Sequence, residues 1–341
     1  MKKALLVGVF VFKLFVYSVF SQDATFSQYF ASGVYFNPAY AGTETYLTVS
    51  GITRTQWKAV DASFNTSMLA LTIPIKDKDN LRKRVGGVTF SFFDDKSSDG
   101  LLHTIGGSAT FAYGLPITEK DKIFVGGTAG YCQKSLSVVD FRWGSQYDPL
   151  VGWDPTIDPN TSVVNSSVSY LDLNVGFLAV HEFGKEIGGR FSEIYLGGAF
   201  FHLNTPDESL VEGNSSNMPM RINANIGGVF PMSDKLGISP NVMYAMQSDF
   251  YQLNIGLYGI YQFSEQEGVV PNSFELGVWH RVNDAFIFNV GFANKLYQVG
   301  FSYDMTSSDL RYSSAGNSAY ELSFKLHKPN KKPIRIHGPR F

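Results

Sequence analysis

The sequence predicts an all-β chain: a transmembrane antiparallel β-barrel of about fourteen strands, with a plug-like or docking segment at its N-terminus. Three observations predict it. A leader precedes the first strand pattern, apolar and polar residues alternate along most of the chain after it, and the connections sort into a short-turn side and a long-loop side. In Tyr320-Glu321-Leu322-Ser323-Phe324-Lys325-Leu326 the alternation has no miss. A strand sends successive side chains to opposite faces, so this ribbon has one apolar and one polar side. A membrane barrel requires that, with lipid outside and a polar interior.

The first residues read as an export signal. Lys2 and Lys3 begin it, Ala4 to Phe20 form an apolar run broken by Lys13, and Val19-Phe20-Ser21 offers a cleavage site before Gln22. A membrane-anchor helix is the other reading, but the run is at the short limit for a span. Position 22 holds no cysteine for lipoprotein processing. The expected organisation is therefore a signal peptide at 1–21, an N-terminal motif segment at 22–44, the barrel at 45–327 and a basic periplasmic tail at 328–341.

Composition excludes several classes. Hydrophobic residues make up 44% and aromatics 15% of the chain, with mean hydropathy near zero, because a barrel strand carries only half its residues toward lipid. Losing Lys2, Lys3 and Lys13 with the leader moves the formal charge from −2 to −5, which argues against nucleic acid as a partner. The single cysteine, Cys132, has no intramolecular disulfide partner and reads as a small inward filler.

Strand patterns fall near 45–54, 66–74, 85–94, 101–114, 122–132, 168–181, 189–202, 220–230, 235–247, 250–263, 273–282, 285–293, 296–305 and 319–327. An even count returns both termini to the periplasmic side. The faces are clearest late in the chain. Tyr251, Leu253, Ile255, Leu257, Tyr261 and Phe263 oppose Gln252, Asn254 and Gln262, and Phe286, Phe288, Val290 and Phe292 oppose Asn289 and Gly291. Arginine at lipid-facing Leu253 or Phe288 should damage assembly, and arginine at inward Asn254 should be better tolerated. A soluble sandwich or barrel would reverse the polarity, apolar inside and polar outside.

Proline-bearing turns near 71–78, 114–120 and 229–235 come after even-numbered strands and define one rim, expected to be periplasmic. The connections 133–167, 203–219 and 306–318 are rich in Ser, Asn, Asp, Gly and Pro and define the extracellular rim. Of these, 133–167 offers the largest surface. Trp143, Tyr147 and Trp153 in it are candidate partner contacts, surrounded by Asp140, Asp148, Asp154 and Asp158.

Catalytic and cofactor chemistry finds no footing. The six histidines, His103, His181, His202, His280, His327 and His337, show no metal-ligand spacing, and nucleotide-binding loops are missing. No metal, cofactor or enzyme activity is expected. A barrel hydrolase would need a serine beside His103 or His202, and nothing in the sequence selects a triad. Inward charges at Asp172, Arg221, Glu275, Arg281, Asp304, Glu321 and Lys325 read as a cross-paired or solvated lumen. Paired glycines such as Gly126-Gly127 and Gly197-Gly198 lie within strands and mark bends or plug contacts.

The mature chain opens Gln22-Asp23-Ala24-Thr25-Phe26-Ser27-Gln28-Tyr29, continues to Asn37-Pro38-Ala39-Tyr40-Ala41-Gly42 and reaches Arg54-Thr55-Gln56-Trp57. This order resembles the PorP/SprF family of type IX secretion system outer-membrane proteins from Bacteroidota, whose members open with Q-D-x-x-F-S-Q-Y, N-P-A-Y-A-G and R-x-Q-W motifs. Ala24 stands where the family commonly has proline. The resemblance implies a non-enzymatic barrel of the cell outer membrane that serves secretion or gliding motility. Implied partners are a secreted adhesin with a type IX C-terminal domain, other secretion components and outer-membrane lipid. The alternative is a passive channel for small or hydrophobic solutes. The residues themselves allow two placements for the aromatic N-terminal segment, in the periplasm or inside the lumen, with docking against the barrel preferred. Arg54 and Trp57 are placed at the extracellular rim.

Overall fold

The structure is a computed structural model that describes residues 23–57, 63–77, 84–97, 100–137, 142–158, 167–187, 190–211, 213–263, 272–308 and 317–328. The expected signal peptide, Gln22 and all of the basic tail beyond Lys328 lie outside the described residues.

Fourteen antiparallel strands close into a barrel. They are β1 (Leu47–Gln56), β2 (Phe64–Lys76), β3 (Arg84–Ser97), β4 (Leu102–Pro116), β5 (Asp121–Leu136), β8 (Ser167–Ile187), β9 (Arg190–Phe201), β10 (Arg221–Pro231), β11 (Leu236–Gln247), β12 (Phe250–Gln262), β13 (Ser273–Arg281), β14 (Ala285–Ala293), β15 (Tyr297–Thr306) and β16 (Asn317–Lys328). The two-residue strands β6 (Tyr147–Asp148) and β7 (Gly152–Trp153) pair with each other in the loop after β5. Each strand otherwise pairs with its neighbours in sequence, and β1 meets β16 in a seam that sets Leu47 opposite Lys328 and Arg54 opposite Glu321. Closure leaves no strand edge exposed, as spanning hydrocarbon requires.

All fourteen sequence patterns fall on barrel strands. The largest boundary difference is at β8, which continues to Ile187 where the pattern fades near 181. Near where the pattern fades, Glu182 pairs with Lys122 at 3.3 Å. Prolines end two of the three strands expected to stop at them, at Pro116 and Pro231; β2 instead runs past Pro74, which pairs with Gly87, to Lys76. The rim asymmetry has exceptions: the connection 263–272 lies on the short-turn rim. The tight turns after β11 and β13 lie on the long-loop rim, where Ser248 and Asn283 take positive φ of 53° and 62°.

The outer face is apolar, with Phe90, Phe92, Phe111, Ile255, Leu276 and Phe288 among its exposed residues. The lumen is the reverse of an open pore. Residues 23–46 enter it, with a short helix α1 (Gly33–Phe36) followed by a 3-10 turn over Pro38–Gly42. Tyr29, Phe30, Phe36, Ala39 and Tyr40 of this segment pack against Phe124, Leu178, Tyr195, Tyr258, Trp279 and Ile287 of the wall. The expected polar lumen is therefore corrected in part. Inward Tyr258 and Trp279 lie over Gly277 and Gly256, where an added Cβ would fall 2.3 and 1.9 Å from the respective rings. A plug rich in aromatic side chains needs apolar wall to bury them. The surroundings of Asn254 argue against the expected tolerance of arginine there. Asn254 is 1% exposed and accepts a hydrogen bond from Arg281 Nε at 3.3 Å, so a new cation there would meet a filled interior and a like charge.

Candidate functional site: the plugged lumen and outer loops

Two charge clusters fasten the plug. The first sits at the closing seam. Arg54 of β1 bonds Glu321 of β16 and reaches Asp304 of β15 at 3.0 Å, and Arg281 of β13 lies 3.2 Å from the same Asp304 oxygen. All four are 5% exposed or less. Arg281 also pairs with the more exposed Asp284 at 3.1 Å, so each buried guanidinium faces carboxylates, the condition under which buried charge persists. Ser27 of the plug sits among them. Its hydroxyl donates to Asp304 Oδ2 at 2.8 Å and accepts from Arg54 Nη1 at 2.7 Å and Arg281 Nη2 at 2.8 Å. One donor and two lone pairs are all a hydroxyl has, so its capacity is saturated. The backbone N–H groups of Ser27 and Gln28 donate to the two oxygens of Glu321 at 2.5 and 2.9 Å, and Ser323 donates to the Gln28 side chain at 2.7 Å.

The second cluster lies across the lumen. Asp23 of the plug contacts His202 Nε2 at 2.7 Å and Arg221 Nη1 at 2.8 Å, and His202 Nδ1 meets Asp172 at 2.8 Å. A ring with a carboxylate on each nitrogen must donate from both, which only the imidazolium does. Burial opposes that charge, but Asp23 and Asp172 outweigh it and hold the His202 pKa up, at about 9. Arg221 also covers the Tyr35 and Phe201 rings at 5.0 and 4.2 Å. At the short-turn rim Lys325 holds Glu44 of the plug at 3.0 Å.

Between these ties the segment 37–42 lies directly on the wall. Asn37 caps its own turn by accepting from Ala39 N–H at 2.9 Å, and its amide donates to Phe177 and Gly198 carbonyls of β8 and β9. The approach is close because the wall there is glycine. A Cβ at Gly87 would fall 2.0 Å from the Ala41 carbonyl, at Gly126 2.6 Å from Pro38, and at Gly176 2.1 Å from Asn37 Oδ1. Tyr40 accepts from Asn225 at 2.9 Å.

The outer loop after β5 carries the candidate contact residues. Trp143 precedes a 3-10 turn over Gly144–Gln146 and donates its N–H to the Gln146 side chain at 3.3 Å. Tyr147 pairs with Trp153 across the β6–β7 ladder, and Arg142 covers the Trp153 ring at 5.1 Å. At the tip between them Leu150 is 95% and Val151 80% exposed. Sequence reasoning misses these two, since a Pro-Leu-Val-Gly run inside a polar loop has no periodicity to mark it.

With this geometry in place, the chain matches the family described as "Type IX secretion system membrane protein PorP/SprF" over residues 18–326. The chain belongs to the PorP/SprF family. No curated protein matches it in sequence. Among solved structures it is similar to the Ralstonia pickettii toluene transporter TbuX, at 12% identity over 88% of this chain and 94% of that one, TM-score 0.48. It is also similar to a Pseudomonas aeruginosa FadL homologue, at 11% identity over 90% and 99%, TM-score 0.42. A third likeness is the translocator domain of the Neisseria meningitidis autotransporter NalP, at 12% identity over 84% and 91%, TM-score 0.43.

In this PorP/SprF barrel the first two sequence motifs and Arg54 of the third come together inside the lumen. Asp23, Ser27 and Gln28 are the plug's polar ties. Phe26 packs edge-on against Tyr35 at 5.4 Å and Tyr29 tilts against Trp279 at 5.4 Å. Asn37, Pro38, Ala39, Tyr40, Ala41 and Gly42 form the turn on the glycine wall, and Gly42 itself leaves room for the Phe124 ring, 2.7 Å from an added Cβ. Arg54 is part of the socket. It lies near the outer end of β1, as expected, and points into the lumen at 1% exposure because it answers Asp304 and Glu321. Gln56 ends β1, and Trp57, at a positive φ of 52°, stands edge-on to Phe64 at 5.2 Å, at the rim as expected. His103 bonds Asp94 at 2.9 Å, so both histidines that a hydrolase would draw on, His103 and His202, bond carboxylates through their rings. No group of three or more metal-binding side chains occurs among the described residues.

Proposed function

We propose that this barrel is a non-enzymatic outer-membrane component of the type IX secretion and gliding apparatus that anchors a secreted surface protein, an adhesin with a type IX C-terminal domain, on its long-loop rim. The observation that carries this reading is the filled lumen. Residues 23–46 pack into it with buried aromatic and ionic contacts, which suits a rigid mount better than an aqueous path. The β6–β7 hairpin tip supports the choice of rim: exposed aliphatic residues flanked by aromatics and aspartates have the make-up of a protein-recognition surface. On this reading residues 1–21 are an export signal, other secretion components dock on the periplasmic rim, and lipid surrounds the belt.

The test replaces 144–160 with a short Gly-Ser linker. Loop shortening leaves strand pairing intact, so the barrel assembles and the partner moves from the cell surface to the medium. Normal retention beside a correctly assembled variant overturns the assignment of this loop. Planar-bilayer recording tests the class of function: an anchor of this build conducts little, and a well-defined open channel in the purified wild-type protein favours solute transport instead.

A further inference from the structure

A cavity of about 180 Å³ lies between the plug and the wall of β3, β4, β5 and β8, with a lining that runs from Asp23 and Val34 to Leu102 and Met218 near the long-loop rim. It exists because the inward residues there are small. Gly106, Ser108, Thr128 and Gly130 line it, and the plug bears instead on the glycines farther down the same strands.

The charges around it are unequal in their pairing. Lys134 is held by Glu208 at 2.8 Å, and Arg221 and His202 are engaged by Asp23 and Asp172. Asp95 differs. The Thr66 hydroxyl donates to its Oδ1 at 2.6 Å, and no cation pairs with it among the described residues. Beside it Phe93 stacks on Tyr35 at 5.5 Å, and Met68, Val34 and Leu102 complete an apolar side. Across the β3–β4 ladder Asp95 faces Thr104, another hydroxyl on the same wall.

We infer that this cavity is a binding site for an aliphatic ammonium group, a charge on a short hydrocarbon stem, with Asp95 as its counter-ion. An ammonium has three donors and no acceptor and sits on a flexible apolar stem. The carboxylate, the hydroxyls and the aromatic–aliphatic side match those parts in turn. An anion is disfavoured because the lining cations are already engaged. The site rests on the anchoring reading for its natural occupant, a lysine side chain of the docked protein. A free amine would use the same chemistry.

The probe is N-acetyl-lysine amide, titrated onto the purified barrel in detergent and followed by ligand-detected NMR, with N-acetyl-norleucine amide as the uncharged control of similar stem. The lysine compound binds saturably and the norleucine compound does not. Asp95→Asn, which keeps the size and the Thr66 contact, weakens binding about tenfold, the scale of one charge-assisted hydrogen bond. Thr104→Lys supplies an internal ammonium across the ladder and blocks binding, so a folded negative control exists even if Asp95→Asn assembles poorly. Equal binding of the two amides, unchanged affinity in a folded Asp95→Asn barrel, or no saturable binding of the lysine compound overturns the site. Partner retention on cells separates the two sources. Loss in Asp95→Asn identifies a lysine of the partner, whereas normal retention with amide binding intact identifies a free amine. Replacing loop 144–160 tests anchoring independently of this pocket.

Discussion

The contact between segment 37–42 and the wall predicts a sharp difference between adjacent glycines. Gly126 faces the plug, and a Cβ there would lie 2.6 Å from the Pro38 carbonyl and 2.7 Å from Ala39 N. Those are backbone atoms, which cannot swing aside as a side-chain tip does. Gly127 faces out, and its Cβ would meet nothing closer than the Asn174 carbonyl at 3.8 Å. Overpacking of this kind costs about 1–3 kcal/mol, and the loss of glycine's unfolded-state freedom returns about 0.4–1 kcal/mol. Gly126→Ala should therefore destabilise the docked plug by about 1–2 kcal/mol, around the difference of about 1.3 kcal/mol between the midpoints of those two ranges. Gly127→Ala should be neutral or slightly stabilising. Gly87→Ala, aimed at the Ala41 carbonyl from 2.0 Å, should exceed Gly126→Ala. The two will not add cleanly, because they push on one turn. Hydrogen exchange of the amides between residues 37 and 43 reads the opening directly: about 5- to 30-fold faster exchange corresponds to the predicted loss. Equal acceleration in Gly126→Ala and Gly127→Ala, or none in Gly126→Ala, refutes the docking geometry.

The ion clusters and the lipid face are open to similar tests. Glu321→Gln leaves Arg54 with Asp304 as its only carboxylate partner, shared with Arg281, which also pairs with Asp284, and breaking a buried pair costs about 3–5 kcal/mol; the unfolding midpoint in urea and the heat-modifiable gel mobility should both fall. Leu253→Arg or Phe288→Arg on the lipid face should impair assembly by about 2–4 kcal/mol near mid-membrane, and a matching loss for arginine on the exposed β6–β7 tip would argue against the facing assignment. The outer end of the plug should loosen in alkali. His202 has a folded pKa raised from 6.5 to about 9, so its contribution is fully present below about pH 6.5 and is lost as pH rises through about 9. Exchange near residue 23 measured from pH 6 to 10 checks this, and His202→Gln should remove the dependence.

The barrel is legible in the sequence and its interior only partly so. Period-two alternation marks Leu253, Ile255 and Leu257 against Gln252 and Asn254 because lipid imposes one polarity on every strand. The lumen imposes no single rule. Tyr258 and Trp279 are inward because the plug needs apolar partners, and their period-two position places them with the polar face that alternation assigns to water. Arg54 stands out in the sequence as a motif residue but not as half of an ion cluster, since its partners Asp304 and Glu321 are more than two hundred positions away. The pairing becomes readable only once closure sets β1 against β16. The glycine pairs are better signals: a strand interior gives up side-chain packing at Gly126 and Gly176 only where another backbone must come close. Leu150 and Val151 have no such marker, because a loop tip obeys no repeat.

The two ion clusters hold the start of the plug by different physics. At the seam, Arg54 and Arg281 are answered by Asp304, Glu321 and Asp284 without help from the plug, and Ser27 contributes only a hydroxyl and an N–H. At the second cluster Asp23 supplies a full charge to Arg221 and His202. Removing it leaves Asp172 to face two cations. Extraction of the plug therefore leaves the seam arginines paired with carboxylates and leaves a net positive group at the second cluster. The Asp23 cluster is the one that pH and added charge can weaken. Asp23→Asn should accordingly loosen residues near 23 while amides at 27 and 28 keep their protection, whereas Ser27→Ala should loosen both, because Asp304 loses a donor and the two guanidiniums lose their shared acceptor. Hydrogen exchange distinguishes the two patterns in one experiment, and identical profiles for the two variants would mean that the plug is released as a single rigid unit.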